Sequence, residues 1–203
     1  INYALAHNQP IHFVLPAFPA KSANRGKTLS HLPDIGEQLA LLNVNDLLEQ
    51  IAAIYAPGAR LTICSDGRVF NDIVGVSDYE VTGYVVALHA LVNELKLSRI
   101  DFFDLSDHWP NMSFMAMREH LVKCHASSIE EIKSAVKTND NEQKLFNGLH
   151  RFLFEDYTYL IKNSSKNQIR KLAHQHTYQL IQRSHAWGEL INCEYPNSIR
   201  LSI

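Results

Sequence analysis

Three cations, Lys21, Arg25 and Lys27, fall close together and alternate with Ser22, Asn24 and Thr28, and Gly26 lies among them. Fixed positive charge, hydroxyl and amide donors, and a glycine beside which the backbone can approach a ligand make an anion-binding composition. The same residues also describe an exposed connector whose cations are only solvated, and both readings stand at this point. A second group, Ser65-Asp66-Gly67-Arg68-Val69-Phe70-Asn71-Asp72, sets two carboxylates beside an arginine and an aromatic ring. It reads either as a tight turn, for which Asp-Gly is the expected chemistry, or as a strand-end loop that presents Asp66 to a ligand. Asp34 and Glu37 add two more carboxylates that could move protons.

The elements that must position these groups follow from spacing. Residues 11–15 are an apolar run that reads as a buried strand, and helical periodicity resumes only after Asp34. The stretch 15–37 is therefore a long loop with no packing pattern of its own, and such loops are uncommon unless functional. Pro16, Pro19 and Pro33 each fix one φ, so it is expected to be stiff. Apolar positions over 35–55 follow helical spacing with a change of phase near Asn43, which predicts two abutting helices ended by Pro57-Gly58. Residues 60–64 form a second strand leading into the Ser-Asp-Gly group. Ser77 and Glu80 form a capping box for a helix striped by Val81, Tyr84, Leu88, Leu91 and Leu95. Residues 98–105 give a third strand with Asp104 near its end.

Strand, loop, helix, strand, turn, helix, strand predicts a parallel sheet flanked by helices. The second half reads as helices over 113–124, 128–137, 140–161 and 166–191, with Arg151, Arg170 and Arg183 solvated or in surface ion pairs, and residues 199–203 return as a strand to the same sheet. The expected fold is thus α/β, Rossmann-like, a mostly parallel sheet flanked by helices with an all-helical second half packed on it, in one domain over 1–203.

Composition narrows the function classes. With 203 residues, 46% hydrophobic and 20% charged, the chain has the make-up of a globular domain with a substantial core. A formal charge of −2 supplies no field to draw it to nucleic acid or a membrane surface, and no apolar run approaches a bilayer span. Cys64, Cys124 and Cys193 are odd in number and widely spaced, as reduced thiols are, and a cytoplasmic protein is expected. His174 and His176 point to different sides of a helix, and His120 with Cys124 lacks a third ligand, so no metal is expected. No glycine-rich dinucleotide fingerprint follows any strand, so no redox cofactor is expected either.

Taken in order, Pro16-Ala-Phe-Pro-Ala-Lys-Ser-Ala-Asn-Arg-Gly-Lys27, Leu32-Pro-Asp-Ile-Gly-Glu-Gln-Leu-Ala-Leu41, Tyr55-Ala-Pro-Gly-Ala59, the 65–72 group and Ile199-Arg-Leu-Ser-Ile203 resemble the pyoverdine/dityrosine biosynthesis family, the PvcA-like isocyanide synthases. The resemblance implies an enzyme that builds an isonitrile on the α-nitrogen of tyrosine or tryptophan, with ribulose 5-phosphate as co-substrate and carbon donor. For that reaction Lys21, Asp66, Asp72 and Glu37 are the acid–base candidates best placed in the sequence, with Asp34 as an alternative to Glu37. Ser22, Asn24, Arg25, Lys27, Asp34, Arg68, Phe70 and Arg200 are the candidate substrate contacts. The resemblance implies small-molecule substrates, no metal or cofactor, and an iron/2-oxoglutarate oxygenase downstream that processes the isonitrile. The family continues beyond the 199–203 strand, so the chain is expected to be a fragment. Two other readings keep the same pocket: an N-formylating or aldolase-like enzyme on the same substrates, and a sugar-phosphate- or amino-acid-binding module without turnover. The residues alone do not choose between tyrosine and tryptophan or fix an oligomeric state.

Overall fold

Short apolar segments pair side by side into one parallel sheet: β1 (Ile11–Pro16), β2 (Ala59–Cys64), β3 (Ile100–Phe103) and β4 (Ile199–Arg200), in the order β3-β2-β1-β4. The computed structural model describes residues 1–201, so Ser202 and Ile203, at the end of the expected last strand, lie outside the described residues. The helices are α1 (Asn2–His7), α2 (Ile35–Ile54), α3 (Gly67–Val74), α4 (Asp78–Glu94), α5 (Leu105–His108), α6 (Phe114–His125), α7 (Ile129–Thr138), α8 (Asp140–Leu160) and α9 (Lys166–Glu194). The expected Rossmann-like arrangement is present.

Alternation along the strands builds two cores. Leu15, Leu61 and Ile63 face α2 and α4, meeting Leu41, Leu48, Tyr84 and Leu88. Val14, Cys64 and Phe103 face the other way, onto Met117 and Leu121 of α6 and Trp187, Leu190 and Ile191 of α9. The long α9 is the spine of the helical half, since Ile169, Ala173 and Leu180 pack on Leu153 and Tyr157 of α8, and Ile181 packs on Ile132 and Val136 of α7. Successive strands step from β1 to β2 to β3, and β4 then returns on the other side of β1. That reversal at β1 is the topological switch point, where open α/β sheets bind ligands outside the carboxyl ends of their strands.

Two local expectations are corrected, and one element was not foreseen. Residues 35–54 form one helix rather than two, because Leu41, Val44, Leu48 and Ile51 already lie on one face against the sheet, and a break at Asn43 would orphan backbone donors. The Ser-Asp-Gly group is the entrance to α3, not an isolated turn. The short α1, with Ala4 as its buried residue and Asn8 in the left-handed conformation at its end, was too brief and weakly patterned to be seen in the sequence. The capping boxes at Ser77 and Ser128 form as expected.

At the amino-terminal end of the strands, His12 lies on β1 with Nε2 2.8 Å from Thr62 Oγ1 and Nδ1 3.3 Å from the Arg60 guanidinium. Burial and the Arg60 charge, partly opposed by Asp101, push its pKa down to about 4. A histidine held neutral by the fold contributes stability that is present above its ordinary value near 6.5 and lost as pH falls toward 4. The urea midpoint is therefore expected to drop between pH 7 and pH 5, and His12→Gln should make that drop shallower. Equal pH slopes for the two proteins would show that His12 is not the titrating group.

Candidate active site

The loop leaving β1 crosses the carboxyl end of the sheet at the switch point, and the Ser65-Asp66-Gly67 segment fixes it there. Ser65 Oγ donates to the Phe18 carbonyl at 3.0 Å, holding Phe18 in the left-handed region at φ 58. Non-glycine residues enter that region at a cost, and such strain gathers at functional sites. The next carbonyl, that of Pro19, lies directly on Gly67, where a Cβ would stand 1.8 Å from its oxygen. Two residues of the segment thus pin the loop.

The third is left without a partner. Asp66 stands at the N-cap of α3, but its side chain caps nothing. Its Oδ1 is buried and makes no hydrogen bond, while the rest of the residue reaches the wall of a pocket of about 360 Å³. Burial, opposed only by its own backbone N–H, pushes the Asp66 carboxyl up to about 6. The pocket is walled by Pro19 to Ser22 of the loop, by Phe70, Asn71 and Val74 of α3, by Val76, by Leu149, Phe152 and Asp156 of α8, and by Leu180 of α9. Asn71 is already saturated, donating to the Val76 carbonyl and Asp78 and accepting from Arg118. The cavity is therefore mainly apolar and aromatic, with Lys21, Ser22 and two carboxylates as its remaining polar groups.

The loop cations are each matched to a carboxylate on a different helix. Lys21 Nζ lies 2.9 Å from Asp34 and 2.6 Å from Glu37, at the amino end of α2. Burial would lower the Lys21 pKa, but Glu37 and Asp34 outweigh it and raise it. Glu37 also accepts from the Asp34 backbone N–H and from the buried Tyr84 hydroxyl, whose own pKa burial and Glu37 push up. Arg25 meets Glu80 of α4 at 2.9 Å. Lys27 meets Asp156 at 2.7 Å, and Asn24 Nδ2 and Ser22 Oγ donate to the same carboxylate at 3.1 and 3.4 Å. The basic run is thus a set of ties between loop and helices as much as a collection of anion donors.

Of the sequence candidates, Asp66, Lys21, Ser22 and Phe70 line one pocket, and Glu37, Asp34, Asn24 and Lys27 support its loop wall. The others are held elsewhere. Arg68 is buried, with Nε 2.8 Å from Asp104, a guanidinium nitrogen donating to Thr82, and its plane over the Phe114 ring. Asp72 takes both guanidinium nitrogens of Arg183, at 2.6 and 3.0 Å, which ties α3 to α9. Burial pushes the Asp72 carboxyl up, but Arg183 and Arg118 outweigh it and hold it low. Arg200 of β4 lies across Gly188 of α9, where a Cβ would meet its guanidinium at 2.9 Å.

Asp156 also lines this pocket, and the sequence reading did not single it out. An aspartate inside the stripe Leu149, Leu153, Leu160 was a readable anomaly, because a carboxylate at a core position needs partners. A larger cavity, about 570 Å³, lies at the opposite end of the sheet around His12, Arg60 and Tyr195. Its volume does not outweigh its place, since ligand crevices in this architecture lie at the carboxyl ends. Among the described residues no three His, Cys, Asp or Glu side chains converge to hold a metal ion, and no helix is long and apolar enough to cross a membrane.

The family described as pyoverdine/dityrosine biosynthesis protein matches residues 1–203. The chain is 53% identical over 203 residues to L-tryptophan isonitrile synthase AmbI2 of Fischerella ambigua, covering all of this chain and 62% of that protein. It is 39% identical over 202 residues to the L-tyrosine isonitrile synthase of Pseudomonas aeruginosa, covering 96% of this chain and 61% of that protein. The crystal structure of PvcA from Pseudomonas aeruginosa superposes with a TM-score of 0.95 at 38% identity, over the whole of this chain and 68% of the other. The chain therefore spans about 62% of the length of the first of these relatives.

Proposed function

Because the chain belongs to the pyoverdine/dityrosine biosynthesis family, which matches it from residue 1 to residue 203, we propose that it carries the active site of an isonitrile synthase acting on the α-amine of tryptophan, with ribulose 5-phosphate as the carbon donor. The observation that supports this best is the pocket itself, an apolar and aromatic cavity of about 360 Å³ with a carboxylate on its wall, Asp66, whose buried Oδ1 makes no hydrogen bond. Such a cavity suits an aromatic ring joined to an amine. Tryptophan is preferred over tyrosine because identity is higher to the tryptophan-acting relative than to the tyrosine-acting one.

In this reading the substrate ring lies among Phe70, Leu149, Phe152 and Leu180, and its ammonium meets Asp66. An ion pair enclosed by apolar walls loses hydration on both sides, which favours moving the proton to give amine and carboxylic acid. The amine nitrogen then attacks the C2 ketone of the sugar, one of its N–H protons moves to the new alkoxide, the proton held on Asp66 lets that hydroxyl leave as water, and the remaining N–H proton returns to Asp66. Imine and water result, with no lysine joined covalently to substrate. The later carbon–carbon cleavages release the remainder of the sugar, and Lys21 with Glu37 stands beside the pocket as the next acid–base pair. Resident metal or redox chemistry is not required by this scheme, and an iron oxygenase that consumes the isonitrile is the proposed partner in sequence.

The test is mass spectrometry on the purified protein with tryptophan, tyrosine and ribulose 5-phosphate labelled at C2. The expected product carries one labelled carbon and has the mass of tryptophan isonitrile or of its formamide hydrolysis product. A labelled formamide formed without an isonitrile precursor would favour N-formylation, and binding of both substrates without consumption would favour a binding module. Loss of turnover in neither Asp66→Asn nor Lys21→Ala would remove the assigned roles.

A further inference from the structure

Asp156 is buried to 2% exposure in α8, and its side-chain hydrogen bonds and ion pair all go to one loop. Ser22, Asn24 and Lys27 converge on its two oxygens. One turn earlier on the same helix, Phe152 faces the pocket, and the Lys27 ammonium lies 5.1 Å from the centre of its ring. The loop reinforces this arrangement internally, with the Thr28 hydroxyl donating to the Ser22 carbonyl and the Gly26 N–H donating to Asn24 Oδ1.

The two carboxylates of the pocket therefore stand in opposite states. Asp66 has a buried oxygen with no partner, whereas Asp156 holds an ammonium, an amide and a hydroxyl. Asp66 is equipped to meet a substrate amine. Asp156 is equipped to hold protein.

We infer that Asp156 is a positioning residue that locks the loop over residues 21–28 as the wall of the amino-acid pocket, so that loop order and amino-acid affinity rise and fall together. The inference rests on the pocket being the amino-acid site proposed above. It gives the helical second half a direct part in the site, because the lock is carried by α8. A carboxylate that served packing alone would affect stability without a selective effect on one substrate or on one loop.

The loop offers its own reporter, since Lys21, Arg25 and Lys27 are trypsin sites that are all engaged in ion pairs. In the native purified protein, Asp156→Asn is expected to speed cleavage at these positions at least tenfold and to raise the dissociation constant for tryptophan by a similar factor. In turnover the effect should fall more on KM for the amino acid than on kcat. Lys27→Met, an exposed change on the loop side, should shift cleavage at Lys21 and Arg25 and tryptophan affinity in the same direction, and carries the test where Asp156→Asn does not fold. Saturating tryptophan should slow cleavage of the wild type.

Wild-type cleavage rates in both variants would overturn the inference. So would faster cleavage with unchanged tryptophan affinity, since that breaks the coupling. A wild-type protein that binds no aromatic amino acid would instead remove the substrate assignment, and the lock would then stand or fall on the cleavage rates alone.

Discussion

Asp66→Asn is expected to lower turnover by a factor of 10² to 10⁴, the usual range for a general acid–base group, and at the same time to make the protein more stable at pH 8. The second effect follows from the first residue's environment. The fold raises the Asp66 carboxyl from 3.8 to about 6 by burial. A carboxyl raised in this way adds stability that is complete below 3.8 and lost as pH rises through 6. Above pH 7 the wild type keeps a charged oxygen that is buried and makes no hydrogen bond. The cost of that charge has an upper limit of ~3 kcal/mol, and burial of the asparagine amide returns part of it. A rise of about 5 °C in Tm at pH 8 is therefore expected, shrinking as the pH is lowered toward 5. Thermal melts at the two pH values, run beside turnover, separate this from ordinary damage. A variant that is both inactive and less stable at pH 8 would mean that Asp66 is a structural residue whose loss disrupts the loop.

The same residue shows how far the sequence could be read. The alternation of strands with helical stripes was legible because each face buries apolar residues at its own period, as Leu61 and Ile63 do on β2 or Val81, Tyr84 and Leu88 on α4. The loop after β1 was legible as a candidate site because it lacks such a period, and Asp66 as a candidate because it follows a strand. What could not be read was the pairing of distant charges. Arg68 and Asp72 look like site residues in the chain, but their partners Asp104, Arg118 and Arg183 come from β3's end and from helices far along the sequence. Cations and carboxylates have no periodicity that marks their partners, and only the fold decides which of them meet. Asp156 was missed for the complementary reason: its stripe identifies a buried position, while the loop that neutralises it lies more than a hundred residues earlier.

Gly67→Ala is expected to reduce turnover about 100-fold or more while changing stability much less. On helix propensity alone the substitution should help, by less than the ~1 kcal/mol of a helix interior because Gly67 is the first residue of α3. Its Cβ, however, would stand 1.8 Å from the Pro19 carbonyl oxygen and 3.1 Å from a methyl of Val81. The helix cannot retreat, because Val69 and Ile73 anchor it in two cores. The loop has to move instead, and restoring van der Waals contact takes a shift of about 1.5 Å. Pro19 forms part of the pocket wall and follows the left-handed Phe18, so this shift changes the shape of the proposed substrate pocket directly. A misplacement near 1 Å is enough to cost about 10² in rate. Ser65→Ala removes the hydroxyl that holds the Phe18 carbonyl and should weaken the same wall to a smaller degree. The control is Gly148→Ala on the exposed side of α8, where a Cβ meets nothing within 4 Å and the propensity gain should appear as added stability with unchanged turnover. The expected order of activity is Gly148→Ala, then Ser65→Ala, then Gly67→Ala. Near-wild-type turnover in Gly67→Ala would show that the loop's contact with α3 does not set the geometry of the site.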